Sequence, residues 1–208
     1  SRQWLPAILA ELLRASPDID VSIKTGSMQH GYSAVKNDEL DCAIVSYQPS
    51  LCQGMSWVEL HDDPLLAILP ADFHLDGGAF PVELFDGREF LVPSDGMDMD
   101  IIPALSAGGA HVNPEYRYTG LDDASIVSMA AHGLGVSVLS ELIMDGMNDR
   151  VLAIPLAPPA YRRLGIVINE RKLNDRSIKR FVHCAQETVR RMWEFMDRLF
   201  NVALPRVR

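Results

Sequence analysis

Cysteine is scarce in this chain and forms no recognisable pattern. The 208 residues contain only Cys42, Cys52 and Cys184. An odd number of cysteines at wide spacing makes neither a disulfide framework nor a zinc knuckle. The composition therefore favours a reducing compartment.

Long apolar runs are also missing. No stretch approaches the roughly 20 consecutive apolar residues that a membrane-spanning helix needs. The N-terminus does not show the charged, apolar and cleavable regions of a signal peptide. We therefore expect a cytoplasmic protein that has no membrane partner.

Positive charge is in short supply. The chain has 19 Lys and Arg residues against 28 Asp and Glu residues, which gives a formal net charge of -9. Binding to nucleic acid needs a basic face, so we do not expect this chain to contact DNA by itself. Its 48% hydrophobic content is enough to build a core for one large domain or two small lobes.

Metal and catalytic patterns are weak. The histidines lack the close spacing of metal ligands, so we expect neither a metal nor another cofactor. Cys42, Cys52, His61 and Asp62 include the residue types of a thiol enzyme. Cys42, however, lies in an apolar segment and is more typical of an inert core residue. An enzyme is therefore only the third alternative.

Helices and strands alternate through the first 70 residues, which predicts a doubly wound α/β lobe. Ser16-Pro17 should end the first helix, and the nearly all-apolar segment 41–46 is typical of a strand buried in a parallel sheet. Because such a sheet normally begins with a strand, we expect a first strand to be missing. The predicted elements are a helix at 5–13, a strand at 19–23, a helix at 28–37, and strands at 41–46, 57–60 and 64–69.

The same alternation repeats beyond a polar crossover at residues 70–79. Gly133 occupies the position of a glycine that follows a helix. The clearest amphipathic pattern is the last one, which predicts a long closing helix over residues 178–199. The elements predicted between them are strands at 89–92, 116–119, 136–139, 151–154 and 164–168, and helices beginning near Asp98 and spanning 123–132.

Two chain crossings divide this arrangement into lobes. We assign residues 1–70 to the first part of lobe I, 71–162 to lobe II, and 163–208 to the return into lobe I with the long C-terminal helix. Two crossings between Rossmann-like lobes predict a hinge over an interlobe cleft.

An ordered set of short motifs resembles the effector-binding domain of LysR-type transcriptional regulators. The motifs are Leu5-Pro6-x-x-Leu9, Pro17-Asp18-Ile19, Gly26-Ser27, Leu40-Asp41-x-Ala43-Ile44-Val45, 65–70, 130–140 and 163–166. The resemblance implies a type 2 periplasmic-binding-protein fold, a small-molecule effector between the lobes, and a homodimer or homotetramer. It also implies that DNA is bound only by an N-terminal winged helix-turn-helix that these residues do not contain.

In doubly wound sheets, ligands collect at the carboxyl ends of strands, beside the N-termini of helices. Thr25, Gly26 and Ser27 form the first such loop, and the resemblance implies that Ser27 places a hydroxyl against the effector. A plain helix cap explains Ser27 equally well. Ser46, followed by Tyr47, leaves the next strand, and its alternative role is a solvated strand end.

Two further loops lie in the predicted second lobe. Ser94, Asp95 and Asp98 belong to a turn-rich segment that ends in a helix cap, and the resemblance implies that it holds ligand oxygens. Its acidic residues would repel a carboxylate, which favours a cationic or polar neutral effector, although acidic turns are usually only caps. Thr119 precedes Asp122 and Asp123, either of which could cap the next helix.

Together these patterns predict the effector-sensing domain of a LysR-type regulator. The principal alternative is an extracytoplasmic solute-binding protein of the same fold, which would serve a transporter.

Overall fold

The computed structural model describes residues 4–94, 100–106, 112–144, 146–147 and 150–203, and in residues 195–203 only the backbone. The chain divides into two units. Unit 1 consists of Ser1–His61 and Arg163–Arg208, and unit 2 of Asp62–Arg162. The chain thus passes from unit 1 to unit 2 between residues 61 and 62, and it returns between residues 162 and 163.

Unit 1 begins with the predicted amphipathic helix. α1 spans Trp4–Ala15, ends before Ser16-Pro17, and buries Trp4, Ile8 and Leu12. It packs against the closing helix α6, Arg176–Ala203, whose buried residues include Ile178, Ala185 and Val189. Both helices confirm the predictions made from the spacing of apolar residues. No helix of the described residues is long and apolar enough to cross a membrane.

The strand predicted at residues 19–23 is wrong. Residues 18–27 belong to no helix or strand, and Ile23 is 54% exposed. A strand needs a neighbouring strand for its N–H and C=O groups, and no strand among the described residues pairs with this segment. Alternating apolar residues alone do not supply that neighbour.

The next two elements form as predicted but with a different pairing. α2 spans Met28–Lys36 and β1 spans Cys42–Ser46. β1 pairs with β8, Tyr161–Asn169, in the antiparallel direction, with Cys42 opposite Ile168. The prediction of a parallel strand that is buried on both faces is therefore wrong. The neighbour of β1 is the returning strand β8, and Cys42, Ala43 and Ile44 are only partly buried.

One long strand replaces two predicted ones. β2 runs without interruption over Met55–Pro70 and includes the polar segment His61-Asp62-Asp63. The buried carboxylate of Asp63 has hydrogen-bond partners, so the strand continues through it. From Leu65 to Leu69, alternate side chains face two separate clusters of buried residues, which explains the continuous apolar run.

In unit 2, this part of β2 has a neighbouring strand on each side. β6, Ser137–Ser140, and β7, Val151–Ala157, flank it in the antiparallel direction, and β3, Phe80–Pro81, pairs with β7. β4, Glu89–Pro93, pairs in parallel with β5, Glu115–Leu121, and Phe90 forms a parallel bridge with Val136, the residue before β6. The carboxyl ends of β4, β5 and β6 therefore point the same way.

Helices cover both faces of this sheet. α3, Ile102–Leu105, packs on the cluster that contains Phe80, Phe85 and Phe90. α4, Asp123–Ala131, packs on the opposite cluster, and α5, Glu141–Met144, follows β6. The predicted start of a helix near Asp98 lies outside the described residues. Gly133 has a φ of 71° after α4 and confirms the predicted helix end.

Candidate functional site

The first predicted loop of unit 1 caps a helix. Ser27 is the N-cap of α2, with φ -66° and ψ 160°, and its hydroxyl accepts a hydrogen bond from the backbone N–H of His30 at 3.2 Å. A Cβ at Gly26 would lie 2.9 Å from Cδ2 of His30, so the glycine leaves room for that ring. Thr25, Gly26 and Ser27 are all exposed. The hydroxyl of Ser27 is thus a cap that solvent can reach.

Ser46 ends β1 in a buried position, 7% exposed. Its carbonyl oxygen accepts a hydrogen bond from the hydroxyl of Tyr32 at 2.8 Å. The same hydroxyl accepts from the backbone N–H of Gln48 at 3.0 Å. Tyr32 therefore connects α2 to the strand end that carries Ser46. Sequence reasoning missed this role, although a tyrosine on the apolar face of α2 was its signal.

The residue after Ser46 belongs to a cluster of rings and charges. The ring of Tyr47 lies 4.9 Å from that of Trp57, and the guanidinium of Arg163 lies 5.7 Å from the Tyr47 ring. The backbone N–H of Tyr47 donates to the carbonyl of Arg163 at 2.7 Å. Glu59 pairs with Arg163 at 3.7 Å. These contacts hold the end of β1 against β8.

Two predicted residues of unit 2 are brought together. The backbone N–H of Ser94, just beyond β4, donates to the carbonyl of Leu121 at the end of β5, at 2.8 Å. Thr119 lies on β5 two residues earlier, and both side chains are exposed. The structure thus places Ser94 and Thr119 at neighbouring strand ends, as predicted for parallel strands.

Asp122 resolves the choice of cap for α4. Its carboxylate accepts a hydrogen bond from the backbone N–H of Ser125 at 2.7 Å, while Asp123 is the first residue of the helix. The preceding Gly120 has a φ of 74°, a conformation that favours glycine. Asp95 and Asp98 lie outside the described residues, so the acidic loop stays a prediction.

A buried ion pair in unit 2 was not predicted. The Asp63 side chain is fully buried, and its Oδ2 lies 2.7 Å from Nε of Arg162. Oδ1 accepts a hydrogen bond from the backbone N–H of Leu142 at 3.0 Å. Ser140, two residues earlier, is 1% exposed, and its hydroxyl has no hydrogen-bond partner in the described part of the chain. The signal for this pair was an Asp just before the apolar run of residues 65–69.

The groups of the enzyme alternative do not form an activated thiol. Burial, with a smaller contribution from the charge of Asp41, raises the pKa of the Cys42 thiol to about 12. Burial also raises the pKa of Cys52. The ring of His61 stacks on Trp193 at 3.9 Å and meets Trp4 edge-on at 5.9 Å. Within the described residues, no three His, Cys, Asp or Glu side chains are grouped to hold a metal ion.

A shallow depression of about 240 Å³ lies elsewhere in unit 2, and no predicted site residue contributes to it. It lies along α4. Its walls are mainly apolar. The lining residues are Ala124, Val127, Ser128, Ala131, His132, Met147 and Arg150.

Comparison with known proteins agrees with this architecture. Residues 1–190 match the family model described as LysR substrate binding domain. The uncharacterized HTH-type transcriptional regulator YvbU of Bacillus subtilis is 23% identical over 190 residues, which cover 90% of this chain and 63% of that protein. The hydrogen peroxide-inducible genes activator of Haemophilus influenzae is 24% identical over 163 residues, 76% of this chain and 54% of that protein. The chain therefore spans less than two thirds of either relative.

Solved structures share the fold. The regulatory domain of CcmR from Synechocystis PCC6803, in complex with 2-PG, has a TM-score of 0.77 and 20% identity, with 90% of this chain and 92% of that chain covered. The reduced form of OxyR has a TM-score of 0.73 and 19% identity, with coverages of 92% and 91%.

Proposed function

The chain belongs to the family of LysR substrate-binding domains, and from that premise we propose that it senses a small-molecule effector within a DNA-binding transcriptional regulator. Its fold is of the type 2 periplasmic-binding-protein class, as the sequence predicted. YvbU is described as an HTH-type transcriptional regulator, and the Haemophilus relative as an activator of hydrogen peroxide-inducible genes. The transporter alternative is therefore not retained.

The observation that carries the proposal is the chemistry of the strand ends. Ser94 is bonded through its backbone N–H to Leu121, two residues after Thr119, at parallel strand ends that lead to the capped N-terminus of α4. Free hydroxyls and helix N-termini at such ends are typical ligand-binding groups of α/β proteins. In unit 1, Ser27 and Ser46 lie on elements that Tyr32 joins. We propose that the effector contacts Thr25, Gly26, Ser27, Ser46, Ser94, Asp95, Asp98 and Thr119.

The remaining properties of the regulator follow from the same premise. The net charge of -9 leaves DNA binding to another part of the regulator, which we propose to be a winged helix-turn-helix. We further propose that the two units are the lobes of the sensor, that the regulator is a cytoplasmic homodimer or homotetramer, and that the domain catalyses no reaction. The structure of CcmR with 2-PG supports a small molecule as the ligand.

A thermal-shift screen of the 208-residue chain tests the proposal. We expect at least one metabolite to raise the melting temperature, because a ligand that binds only the folded state adds about 2.7 kcal/mol of stability at 100 times its Kd. 2-PG and amino acids of each charge class are the first compounds to screen.

Matched variants then locate the binding. Ser94→Ala and Thr119→Val should remove the ligand-induced shift, whereas Ser128→Ala, an exposed serine on the far turn of α4, should keep it. A shift that survives both strand-end substitutions would place the ligand elsewhere, for example in the depression along α4 that Ser128 lines.

A further inference from the structure

Asp63 carries a buried charge that the proposed effector site does not use. Its carboxylate binds three segments together: β2, to which it belongs, β8 through Nε of Arg162 at 2.7 Å, and the first turn of α5 through the N–H of Leu142 at 3.0 Å. The Arg162 side chain is only 17% exposed. Asp63 and Arg162 thus form a buried ion pair, unlike the ion pairs on the surface.

Asp63 and Arg162 lie next to the two points where the chain passes between the units. Asp63 is the second residue after the chain enters unit 2, and Arg162 is the last residue before it leaves. The two are 99 residues apart in sequence. The ion pair therefore fastens the two strands, β2 and β8, at the places where they pass between the units.

The third partner lies next to the proposed ligand-facing strand ends. Leu142 follows β6 within α5, and Ser140, at the carboxyl end of β6, is opposite Leu65 of β2. Val136, the residue before β6, is bridged in parallel to Phe90 of β4, and Ser94 follows β4 at its carboxyl end. The Leu142 N–H therefore joins Asp63 to the helix that directly follows β6.

Stability does not explain such a pair. Taking both charges out of water costs about as much as their attraction returns, and apolar residues often replace buried ion pairs without loss. What an ion pair adds is a defined geometry. We propose that Asp63 and Arg162 are positioning residues that couple the effector-facing strand ends of unit 2 to the two strand passages, and through them to unit 1.

Amide hydrogen exchange resolved by residue tests this inference without any ligand. Three amides report on it: Leu142 is bonded to Asp63, Ser94 donates to Leu121 in unit 2, and Tyr47 donates to Arg163 in unit 1. In Asp63→Asn the side-chain oxygen can still accept from Leu142, but the charge that holds Arg162 is gone. We expect exchange at Ser94 and Tyr47 to accelerate by about tenfold in Asp63→Asn and in Arg162→Met.

Controls separate coupling from loss of stability. Ile126→Val removes one buried methyl from unit 2. When the variants are compared at an equal loss of stability, amide exchange at Tyr47 should not accelerate in Ile126→Val. Arg162→Lys, which keeps the charge, should fold even if Asp63→Asn does not, and should restore part of the protection. Acceleration confined to Leu142, or an identical pattern in Ile126→Val, would overturn the inference.

The inference rests on the proposed function, yet the two can fail separately. A metabolite that stabilises the chain while exchange at Tyr47 stays unchanged in Arg162→Met would leave the sensor intact and remove the coupling. Faster exchange at both Ser94 and Tyr47, with no metabolite that stabilises the chain, would support the coupling and count against the sensor.

Discussion

The indole ring of Trp57 lies directly against the backbone of Gly165, so that a Cβ at residue 165 would overlap both the ring and the carbonyl oxygen of Val58. β8 can pass this close to β2 only because residue 165 has no side chain. The ring of Trp57 is in turn the support for Tyr47 at the end of β1. Gly165 therefore helps to set the position of a strand end that carries a predicted site residue.

We expect Gly165→Ala to destabilise the chain by about 1–3 kcal/mol, the usual cost of overfilling a packed region. Urea unfolding measures the effect. Gly78→Ala is the matched control, because nothing lies within 4 Å of a Cβ there. Equal stability of the two variants would contradict the close packing of Trp57.

Tyr32→Phe should loosen the segment around Ser46. The substitution keeps the buried ring but leaves the Ser46 carbonyl and the Gln48 N–H without the hydroxyl that serves both. We expect a loss of about 1–3 kcal/mol, measured by urea unfolding. Tyr161→Phe, at a residue that is 58% exposed, should be close to neutral. A Tyr32→Phe variant as stable as that control would show that the two hydrogen bonds are replaced.

Cys42 should resist alkylation in the folded chain. With a thiol pKa of about 12, only about one molecule in 10⁴ carries the reactive thiolate at pH 8. Iodoacetamide labelling followed by mass spectrometry should therefore modify Cys52, which is less buried, before Cys42. Rapid labelling of Cys42 would show that the thiol is reached by solvent.

The same thiol gives the stability a defined pH dependence. Cys42 ionises near pH 9 in the unfolded chain and near pH 12 in the folded one. The folded state therefore keeps the proton that the unfolded state releases, so the contribution of Cys42 is full below pH 9 and falls as the pH rises towards 12. Cys42→Ala should lose stability less steeply over that range in urea unfolding. Parallel curves for the two proteins would contradict the raised pKa.

The sequence was sufficient where local pattern decides structure. Apolar periodicity located α1 and α6, and Ser27 and Gly133 marked helix ends correctly. It failed where a distant partner decides. Nothing near Cys42 shows that its strand neighbour is β8, and nothing near Asp63 shows that its carboxylate is paired with Arg162, 99 residues away.

The residues of the predicted site also divide into those that a general rule could place and those whose role depends on distant partners. Ser94 and Thr119 could be placed together because parallel strands align their carboxyl ends, a rule that needs no detailed packing. Tyr32 could not be found, since its role depends on hydrogen bonds to another segment.

Ser27 allows its two roles to be separated, because the cap and the ligand contact require different chemistry. An aspartate caps a helix as well as serine does, and its charge suits the helix N-terminus. Ser27→Asp should therefore keep the stability of the chain, whereas Ser27→Ala should lose about 1 kcal/mol. If the hydroxyl also contacts the effector, the ligand-induced thermal shift should be lost in Ser27→Asp despite its intact cap. Ser33→Ala, on the same helix, is the control that should leave the shift unchanged. A full shift in Ser27→Asp would restrict Ser27 to capping α2 and confine the ligand contacts of unit 1 to the residues around it.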